Sequence, residues 1–392
     1  MRLPVYFDYA ASTPVDERVI DAMSDCLRDP EGFGNPISSY HRLGRQAAEK
    51  VDDSRAMVAA LINATPDSLV WTSGATESDN LALIGAARFR SRAGRHIITA
   101  ITEHPAVLDT CRYLESQGFR VTYLQPDANG IISPEAVRAA LSPETILVSI
   151  MHVNNEIGVI QDISAIGQIC RDANVIFHVD AAQSAGRLPI DVHAQNIDLM
   201  SLSAQKLYGP KGVGALYIDP GRVGRVDPLF FGGGQERGIR PGTVATHQVV
   251  GMAKAYEIAA IEQEKESVGV TELRQRLWRG LNKVSGVLLN GHPERRVCHI
   301  LSVSVTGVEG ESLHFGLRDL AVSAGSACAT SSDVRSAVLR SLGRSDQLAQ
   351  STIRFSLGRQ TTVEHVDFAI DCFRDCVARL REIAPASSVA LA

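Results

Sequence analysis

Short apolar segments that alternate with helical patterns, over roughly residues 65–203, restrict the fold of this chain more than any other feature of its sequence. Buried strands of a parallel sheet carry near-continuous apolar runs, and the helices that connect them cover both faces. We therefore predict an α/β fold built on a large, mostly parallel sheet. The expected strands lie at 69–72, 96–99, 121–124, 146–151, 175–179 and 199–202, and the expected helices include 77–90 and 164–173.

The length and the pattern of the chain indicate two domains. At about 150 residues per domain, 392 residues exceed a single ordinary core. A long amphipathic helical stretch over 252–284 is followed by a new strand pattern at 300–305. We therefore expect a large domain over 14–259 and a smaller α/β domain formed by 1–13 and 260–392.

A first helix is expected close to the N-terminus. Thr13 precedes Pro14, and Asp16 follows as an acid in the first turn. A threonine suits an N-cap and a proline suits the first helical position. We expect the helix to begin at Pro14, with apolar residues at helical spacing, namely Val15, Val19, Met23 and Leu27.

Charge and composition exclude several classes of protein. A formal net charge of −5 provides no basic excess for contact with a nucleic-acid backbone, and the sequence has no run of about 20 apolar residues to span a membrane. The N-terminal residues contain no apolar stretch of signal-peptide length, and the seven cysteines are scattered. We therefore expect a cytoplasmic enzyme with free thiols and without membrane or direct nucleic-acid contact. No metal is expected, since Cys372 and Cys376 have no further ligands in an obvious pattern.

Three polar features lie where predicted strands end. The segment 72–77, Thr-Ser-Gly-Ala-Thr-Glu, joins a strand to a helix, and the N-terminus of a helix binds anions. Asp180 ends one apolar strand and Lys206 follows the next, at the edge where open α/β sheets bind ligands. Each feature also has an ordinary interpretation: a helix cap for the turn and for Asp180, and a surface charge for Lys206.

The combination indicates one cofactor more clearly than its parts do. Pyridoxal phosphate requires a lysine for its aldehyde, an acid for its pyridinium nitrogen and hydrogen-bond donors for its phosphate. The turn at 72–77, Asp180 and Lys206 supply these three groups. The sequence therefore predicts an enzyme that uses pyridoxal 5'-phosphate.

Four longer motifs resemble those of a known family. They are Phe-Asp-Tyr-Ala-Ala-Ser-Thr-Pro at 7–14, the segment 72–80, Met-His-Val-Asn-Asn-Glu-Ile-Gly at 151–158, and Ile-Arg-Phe-Ser-Leu-Gly at 353–358. With them the chain resembles the cysteine desulfurases of the NifS/IscS type, over nearly its whole length. The resemblance implies the aspartate-aminotransferase-like fold of the class-V, pyridoxal-phosphate-dependent enzymes, and a homodimer.

The resemblance assigns roles residue by residue. Lys206 is similar to the family's Schiff-base lysine, and Asp180 to the partner of the ring nitrogen. Arg354 and Asn155 resemble the residues that bind the substrate carboxylate, for which a guanidinium fork is well suited. The other residues implied to contact the cofactor are His104 on the ring, Gln183 on the ring hydroxyl, Ala75, Thr76, Asn155, Ser203 and Gln205, and Thr243 on the phosphate of the neighbouring subunit.

The resemblance also implies the nucleophile. Cys328 lies in a run of small residues, 321–332, that matches the Gly-Ser-Ala-Cys loop of the family, and an accessible thiolate can attack. The implied activity is desulfuration of L-cysteine: Cys328 takes the sulfur as a persulfide, L-alanine leaves, and the sulfur passes to an acceptor protein. Lys206 and His104 are implied to move protons. Iron–sulfur assembly, tRNA thiolation and DNA phosphorothioation are the routes open to that sulfur.

One departure from the family pattern keeps alternatives open. Gln205 precedes the lysine where relatives usually carry a histidine, and an amide can donate to a phosphate but carries no imidazolium charge. We expect a weaker hold on the cofactor. A selenocysteine lyase or an aminotransferase would keep the cofactor but change the reaction, and an interaction protein that retains the fold would have lost both.

Overall fold

A seven-stranded sheet lies at the centre of the larger part of the molecule. The structure is a computed structural model and describes residues 3–30, 32–324 and 336–383. Its strands are β1 (Val5–Tyr6), β2 (Leu69–Thr72), β3 (His96–Ala100), β4 (Arg120–Leu124), β5 (Thr145–Ser149), β6 (Ile176–Asp180), β7 (Leu199–Ser203), β8 (Gly214–Ile218), β9 (Val287–Leu289), β10 (Ile300–Val305), β11 (Leu320–Ala321), β12 (Ser323–Ala324) and β13 (Thr352–Ser356).

Helices connect and cover these strands. In the described part of the chain, no helix is both long enough and apolar enough to span a membrane. The helices are α1 (Glu17–Arg28), α2 (Arg42–Leu61), α3 (Ala75–Arg90), α4 (Pro105–Ser116), α5 (Pro134–Ala140), α6 (Ile163–Asp172), α7 (Thr246–Leu281), α8 (Gly310–Gly316), α9 (Ala337–Ser341), α10 (Asp346–Gln350) and α11 (Val363–Ile383), with short 3-10 turns at Pro66–Ser68 and Gln235–Gly238.

The large sheet has the strand order β2-β8-β7-β6-β5-β3-β4. The strands from β7 to β4 are parallel to their neighbours, whereas β8 pairs antiparallel with β7 and with β2. The predicted α/β fold with a mostly parallel sheet is therefore confirmed. Sequence reasoning missed β8, because a five-residue run after a turn rich in Gly and Pro shows no period that separates strand from loop.

A smaller antiparallel sheet forms a second core. Its order is β12-β13-β10-β9, and beside it β1 and β11 form a two-stranded parallel pair. Phe355 on β13 is fully buried and makes edge contacts with Phe7 and with Phe373 of α11. This core therefore joins the N-terminal segment to residues more than 300 positions later in the chain.

The helix α7 contributes to both cores. Met252 and Tyr256, in its first half, pack in the core of the large sheet, whereas Leu277 and Leu281 pack in the core of the small sheet. The helix runs without interruption through residues 259 and 260, where we place the border between the domains. That border stays a prediction.

The first helix begins later than expected. α1 starts at Glu17, and its N-cap is Asp16, whose side chain accepts a hydrogen bond from the Arg18 N–H. The prediction of Thr13 as the cap is wrong, because its hydroxyl is used elsewhere: it donates to the Gln205 carbonyl and accepts from the Tyr208 N–H at 2.7 Å. A tertiary contact has taken the side chain that local propensity assigned to the helix.

Removing the Phe355 ring is expected to destabilise the protein strongly. Phe355→Ala leaves a cavity among buried aromatic rings and should lower the free energy of unfolding by about 3–5 kcal/mol. The exposed Phe315 provides the matched control, and Phe315→Ala should cost less than about 0.5 kcal/mol. Urea unfolding followed by circular dichroism measures both, and equal effects of the two substitutions would contradict the assigned core.

Candidate active site

Five strands of the large sheet end at one cavity. The segments that follow β2, β3, β5, β6 and β7 line a space of about 410 Å³. These strands run in the same direction, so their carboxyl ends meet at the same edge of the sheet. Among the residues predicted from the sequence, the lining includes Ala75, Thr76, His104, Asn155, Asp180, Gln183, Ser203, Gln205, Lys206 and Arg354.

The loop after β7 presents Lys206 to the cavity. The Lys206 Nζ donates to the carbonyl oxygen of Ala11. The backbone of the loop is fixed separately, since Thr13 Oγ1 donates to the Gln205 carbonyl at 3.0 Å and Arg187 Nη2 to the Lys206 carbonyl at 2.8 Å. The amine is therefore carried on a flexible stem above a firmly held backbone.

The turn between β2 and α3 opens a helix N-terminus toward the cavity. Gly74 precedes α3 with φ of 152°, which side-chain-bearing residues rarely adopt. Gly214 on β8 passes so close that an added Cβ would lie 2.7 Å from the Gly74 Cα. The amides at Ala75 and Thr76 begin a 16-residue helix, and their free N–H groups favour an anion at this point.

Asp180 and Gln183 face the same space from the end of β6. The Asp180 carboxylate accepts a hydrogen bond from the Ala182 N–H at 2.8 Å. Burial raises the pKa of Asp180, while His104, the Ala182 N–H and Lys206 offset part of that shift. Gln183 Nε2 donates to the Ala10 carbonyl at 2.8 Å, but its buried Oε1 has no hydrogen-bond partner in the described structure. A buried acceptor without a donor indicates a place for a ligand hydroxyl.

His104 lies at the start of α4 as its N-cap. Its Nδ1 accepts a hydrogen bond from the Ala106 N–H at 3.1 Å. Burial lowers the pKa of His104, so the ring is neutral at pH 7. With Nδ1 as the acceptor, we assign the ring proton to Nε2.

Arg354 reaches the cavity from the small sheet. It lies on β13, is 2% exposed, and donates from Nη1 to the Asn155 carbonyl at 2.7 Å. Asn154 forms the turn that presents Asn155, because its Oδ1 accepts from the N–H groups of Glu156 and Ile157. The Nε of Arg354 is buried and is the donor of this guanidinium that has no partner among the described residues.

A group of buried acids lies beneath Asp180. Asp79 on α3 is 1% exposed, and neither carboxyl oxygen has a hydrogen-bond partner in the described structure. The nearby Ser201 hydroxyl is bonded to His178 Nε2 at 3.0 Å, and this Nε2 lies 3.6 Å from Asp79 Oδ1. Burial lowers the pKa of His178 to about 3, so the histidine carries no compensating charge. Burial raises the pKa values of Asp79 and Glu103 well above normal, so the interior favours the protonated form of both acids.

One predicted residue lines a different space, and another falls outside the part of the chain that the structure describes. Thr243 lines a separate groove of about 190 Å³, together with Ile37 and Glu236. Cys328 lies outside the described residues. In the described ranges, no group of three or more His, Cys, Asp or Glu side chains is arranged to hold a metal ion.

Sequence reasoning missed the part played by the N-terminal segment and by the buried acids. Ala10 and Ala11 bind site residues through backbone carbonyls, which leave no trace in the choice of residue. Asp8 and Asp79 carry a weak signal: each is an acid inside a recognisable motif and next to buried residues.

The residues present fit pyridoxal phosphate. The N-terminus of α3 offers donors for a phosphate, Asp180 is a buried acid that lines the cavity, and Lys206 carries an amine into the same cavity. The orphaned Oε1 of Gln183 would receive the ring hydroxyl. A volume of about 410 Å³ is within the range of cofactor sites.

Fold and site define a class of pyridoxal-phosphate enzyme, and comparison with known families agrees. The family model of the class-V aminotransferases matches residues 5–368. The chain is similar to a solved NifS-like protein, with a TM-score of 0.89 and 36% identity over 96% of this chain and 100% of that one. It is also similar to a structure described as SspA in complex with cysteine, with a TM-score of 0.81 and 38% identity over 91% and 100%.

Within that class the chain has relatives of a defined kind. It is 55% identical to the cysteine desulfurase IscS of Shewanella pealeana, over 98% of this chain and 95% of the relative. The chain therefore belongs to the cysteine desulfurase family of the class-V aminotransferases, and its cofactor is pyridoxal phosphate.

Asp79→Asn is expected to flatten the pH dependence of stability in the cofactor-free protein. The folded state keeps the Asp79 proton at pH values where the unfolded chain has lost it, so this contribution to stability falls as pH rises above about 4, by up to about 1.4 kcal/mol per pH unit. Asparagine has no such proton. Unfolding measured from pH 5 to 8 should show a shallower decline, whereas the exposed control Asp371→Asn should keep the full slope. An unchanged slope in Asp79→Asn would contradict a raised pKa of Asp79 in the folded protein.

Proposed function

We propose that the chain is an L-cysteine desulfurase that forms a persulfide on Cys328 and releases L-alanine. The observation that carries this proposal is the meeting of Lys206, Asp180 and Arg354 at one cavity. These groups provide an amine, an acid and a carboxylate anchor, which are what a cofactor-dependent reaction at the α-carbon of an amino acid needs. The 55% identity to IscS relatives supports L-cysteine as that amino acid.

Binding is assigned to Arg354 and Asn155. The Nε–H of Arg354, which has no partner in the described structure, donates to the substrate carboxylate and so fixes the position of the α-carbon. Asn155 is held next to it through its own carbonyl, which accepts the Arg354 Nη1–H. A buried guanidinium interacts more strongly with a carboxylate than an exposed one does.

Proton transfer is assigned to Lys206, with Asp180 and His104 in support. When bound, pyridoxal phosphate withdraws electrons from the α-carbon and so lowers the barrier to loss of its proton. The Lys206 amine leaves the Ala11 carbonyl and accepts that proton as a general base. Asp180, in its buried position, keeps a proton on the ring nitrogen. The neutral His104 ring covers the site and carries a proton on Nε2.

Sulfur transfer is assigned to Cys328. Its thiolate attacks the sulfur of L-cysteine, so that an S–S bond forms and the bond from Cβ to sulfur breaks. The electron pair of the broken bond remains on the substrate carbon, which takes up a proton and leaves as L-alanine. The sulfur stays on Cys328 as a persulfide, from which an acceptor protein in turn removes it.

A protein is the acceptor we favour, in the cytoplasm and without direct nucleic-acid contact. The net charge of −5 supports this choice, because a phosphate backbone would be repelled. Of the possible routes we favour iron–sulfur assembly. The chain is more similar to the IscS relative, at 55% identity, than to SspA, at 38% identity. The seven scattered cysteines support a location in the cytoplasm, where thiols stay reduced.

Alanine and sulfide should appear in equal amounts when the purified protein is mixed with L-cysteine and a reductant. Cys328→Ala and Lys206→Ala should each lower both products by at least about a hundredfold, since each removes a reacting group. Cys372→Ala, a thiol change on α11 outside the site, should leave them unchanged. Selenocysteine preference, or steady conversion of a 2-oxo acid without sulfide, would instead indicate the lyase or the aminotransferase.

We further propose a homodimer in which Thr243 completes the phosphate site of the neighbouring subunit. Its position in a groove apart from the cavity of its own chain supports this arrangement. Three exposed aromatic side chains that are close in sequence to residues of that groove also support the arrangement. Phe33 is 75% exposed, Tyr40 99% and Phe231 86%. Exposed apolar groups of this size are typical of a surface that a second subunit covers.

Mixed dimers test this arrangement directly. Thr243→Ala and Lys206→Ala proteins should each be inactive or weakly active, with cofactor affinity lowered in the former. A dimer that contains one subunit of each kind has one intact site only if Thr243 acts across the interface. Mixing after mild dissociation should therefore restore up to about half the activity per mixed dimer. No recovery in verified mixed dimers would mean that Thr243 does not act across the interface.

A further inference from the structure

The Arg354 guanidinium is held by three groups that come from three parts of the chain. Its Nη1 donates to the Asn155 carbonyl at 2.7 Å, and its Nη2 donates to Asp8 Oδ1 at 2.8 Å and to Ser323 Oγ at 3.0 Å. The guanidinium is 2% exposed, so the orientation of its donors is fixed by these contacts. Only the edge that carries Nε has no partner in the described structure.

Asp8 is the anionic member of this set. The same oxygen, Oδ1, accepts from Arg354 and from the Ser323 hydroxyl, the latter at 2.7 Å. Its backbone is fixed by a bridge to Ser356 on β13, and its carbonyl accepts from the Ala11 N–H. Backbone contacts therefore fix the position of the Asp8 carboxylate, which accepts hydrogen bonds from Arg354 and Ser323.

Ser323 connects this point to the part of the chain that carries the nucleophile. It lies on β12 and is directly opposite Arg354 in the antiparallel pairing with β13. Two residues later the chain enters 325–335, which contains Cys328. The chain returns at Ser336, whose hydroxyl donates to Glu156 at 2.6 Å, and Glu156 follows the substrate-binding Asn155. Both described ends of the cysteine segment are thus bonded to the surroundings of Arg354.

We propose that Asp8 is a positioning residue that orients Arg354 for the substrate carboxylate and ties that anchor to the start of the Cys328 segment. The proposal rests on the proposed function, because it takes Arg354 as the carboxylate anchor. Because Asp8 accepts from Nη2, the Nε edge is left for the substrate carboxylate. One guanidinium thus binds the carboxylate of Asp8 and the carboxylate of the substrate. Without Asp8 the buried guanidinium loses its charge partner and its fixed orientation.

Substrate analogues separate this role from a general structural one. Asp8→Ala should raise the KM for L-cysteine about tenfold, since hydrogen bonds to a charged group are lost. It should change the inhibition constant of cysteamine by less than about twofold, because cysteamine keeps the amine and the thiol but lacks the carboxylate. Asp8→Asn keeps an acceptor for both donors and should recover most of the affinity. Asp367→Ala, which removes the partner of Arg276 at the surface, is the matched control.

Ser323→Ala tests the connection to the cysteine segment. It leaves the bond between Asp8 and Arg354 in place, so KM should stay within about twofold. Formation of the Cys328 persulfide should slow about three- to tenfold. Mass spectrometry in a single turnover measures that rate. The double variant with Asp8→Ala should show no further slowing beyond the slower single variant, since both act through the same contact.

The outcomes distinguish this proposal from the proposed function. If the unmodified protein yields no alanine or sulfide, the proposed function fails. If the unmodified protein is active, but Asp8→Ala weakens L-cysteine and cysteamine equally or leaves KM unchanged, the positioning role is overturned. Additive effects of Asp8→Ala and Ser323→Ala on persulfide formation would overturn the connection between them.

Discussion

The arrangement of the site depends on the parallel direction of the strands in the large sheet. Because β3, β5, β6 and β7 run the same way, every segment that leaves a carboxyl end arrives at one edge. An antiparallel sheet would send half of these segments to the opposite edge. His104, Asn155, Asp180 and Lys206 are spread over about a hundred residues of sequence, and the strand direction is what brings them to one cavity.

The N-terminal segment then closes what the sheet edge leaves open. The carbonyls of Ala10 and Ala11 accept from Gln183 and Lys206, Thr13 holds the loop of Lys206, and Asp8 holds Arg354. This short segment therefore contacts groups from both sheets. It is anchored by Phe7, which is buried in the core of the small sheet against Phe355. Packing in the second core and geometry at the site are consequently coupled.

Burial decides the charges at the site. Asp79, Glu103 and Asp180 lie in the interior, where an unpaired carboxylate is very unfavourable. Of the three, Asp180 has His104, Lys206 and the Ala182 N–H close by, so it is the acid best able to hold a negative charge. Burial raises the pKa values of Asp79 and Glu103, and the neutral His178 supplies no charge to offset that shift. The cofactor cavity is thus supported by a buried polar layer that disfavours ionised carboxyl groups.

Sequence by itself determined the α/β class, most strands of the large sheet and about half of the residues that line the cavity. Apolar runs, helix periods and strand-end Asp180 and Lys206 are local signals, and the longer motifs carried the remaining assignments, including Arg354. Tertiary structure alone decided the contacts of Thr13, which caps no helix, the place of Thr243 in a separate groove, and the convergence of Asp8, Ser323 and Asn155 on Arg354. The physical reason is that these contacts join residues up to 346 positions apart, often through backbone carbonyls that every residue possesses. Such contacts exist only once both sheets have packed.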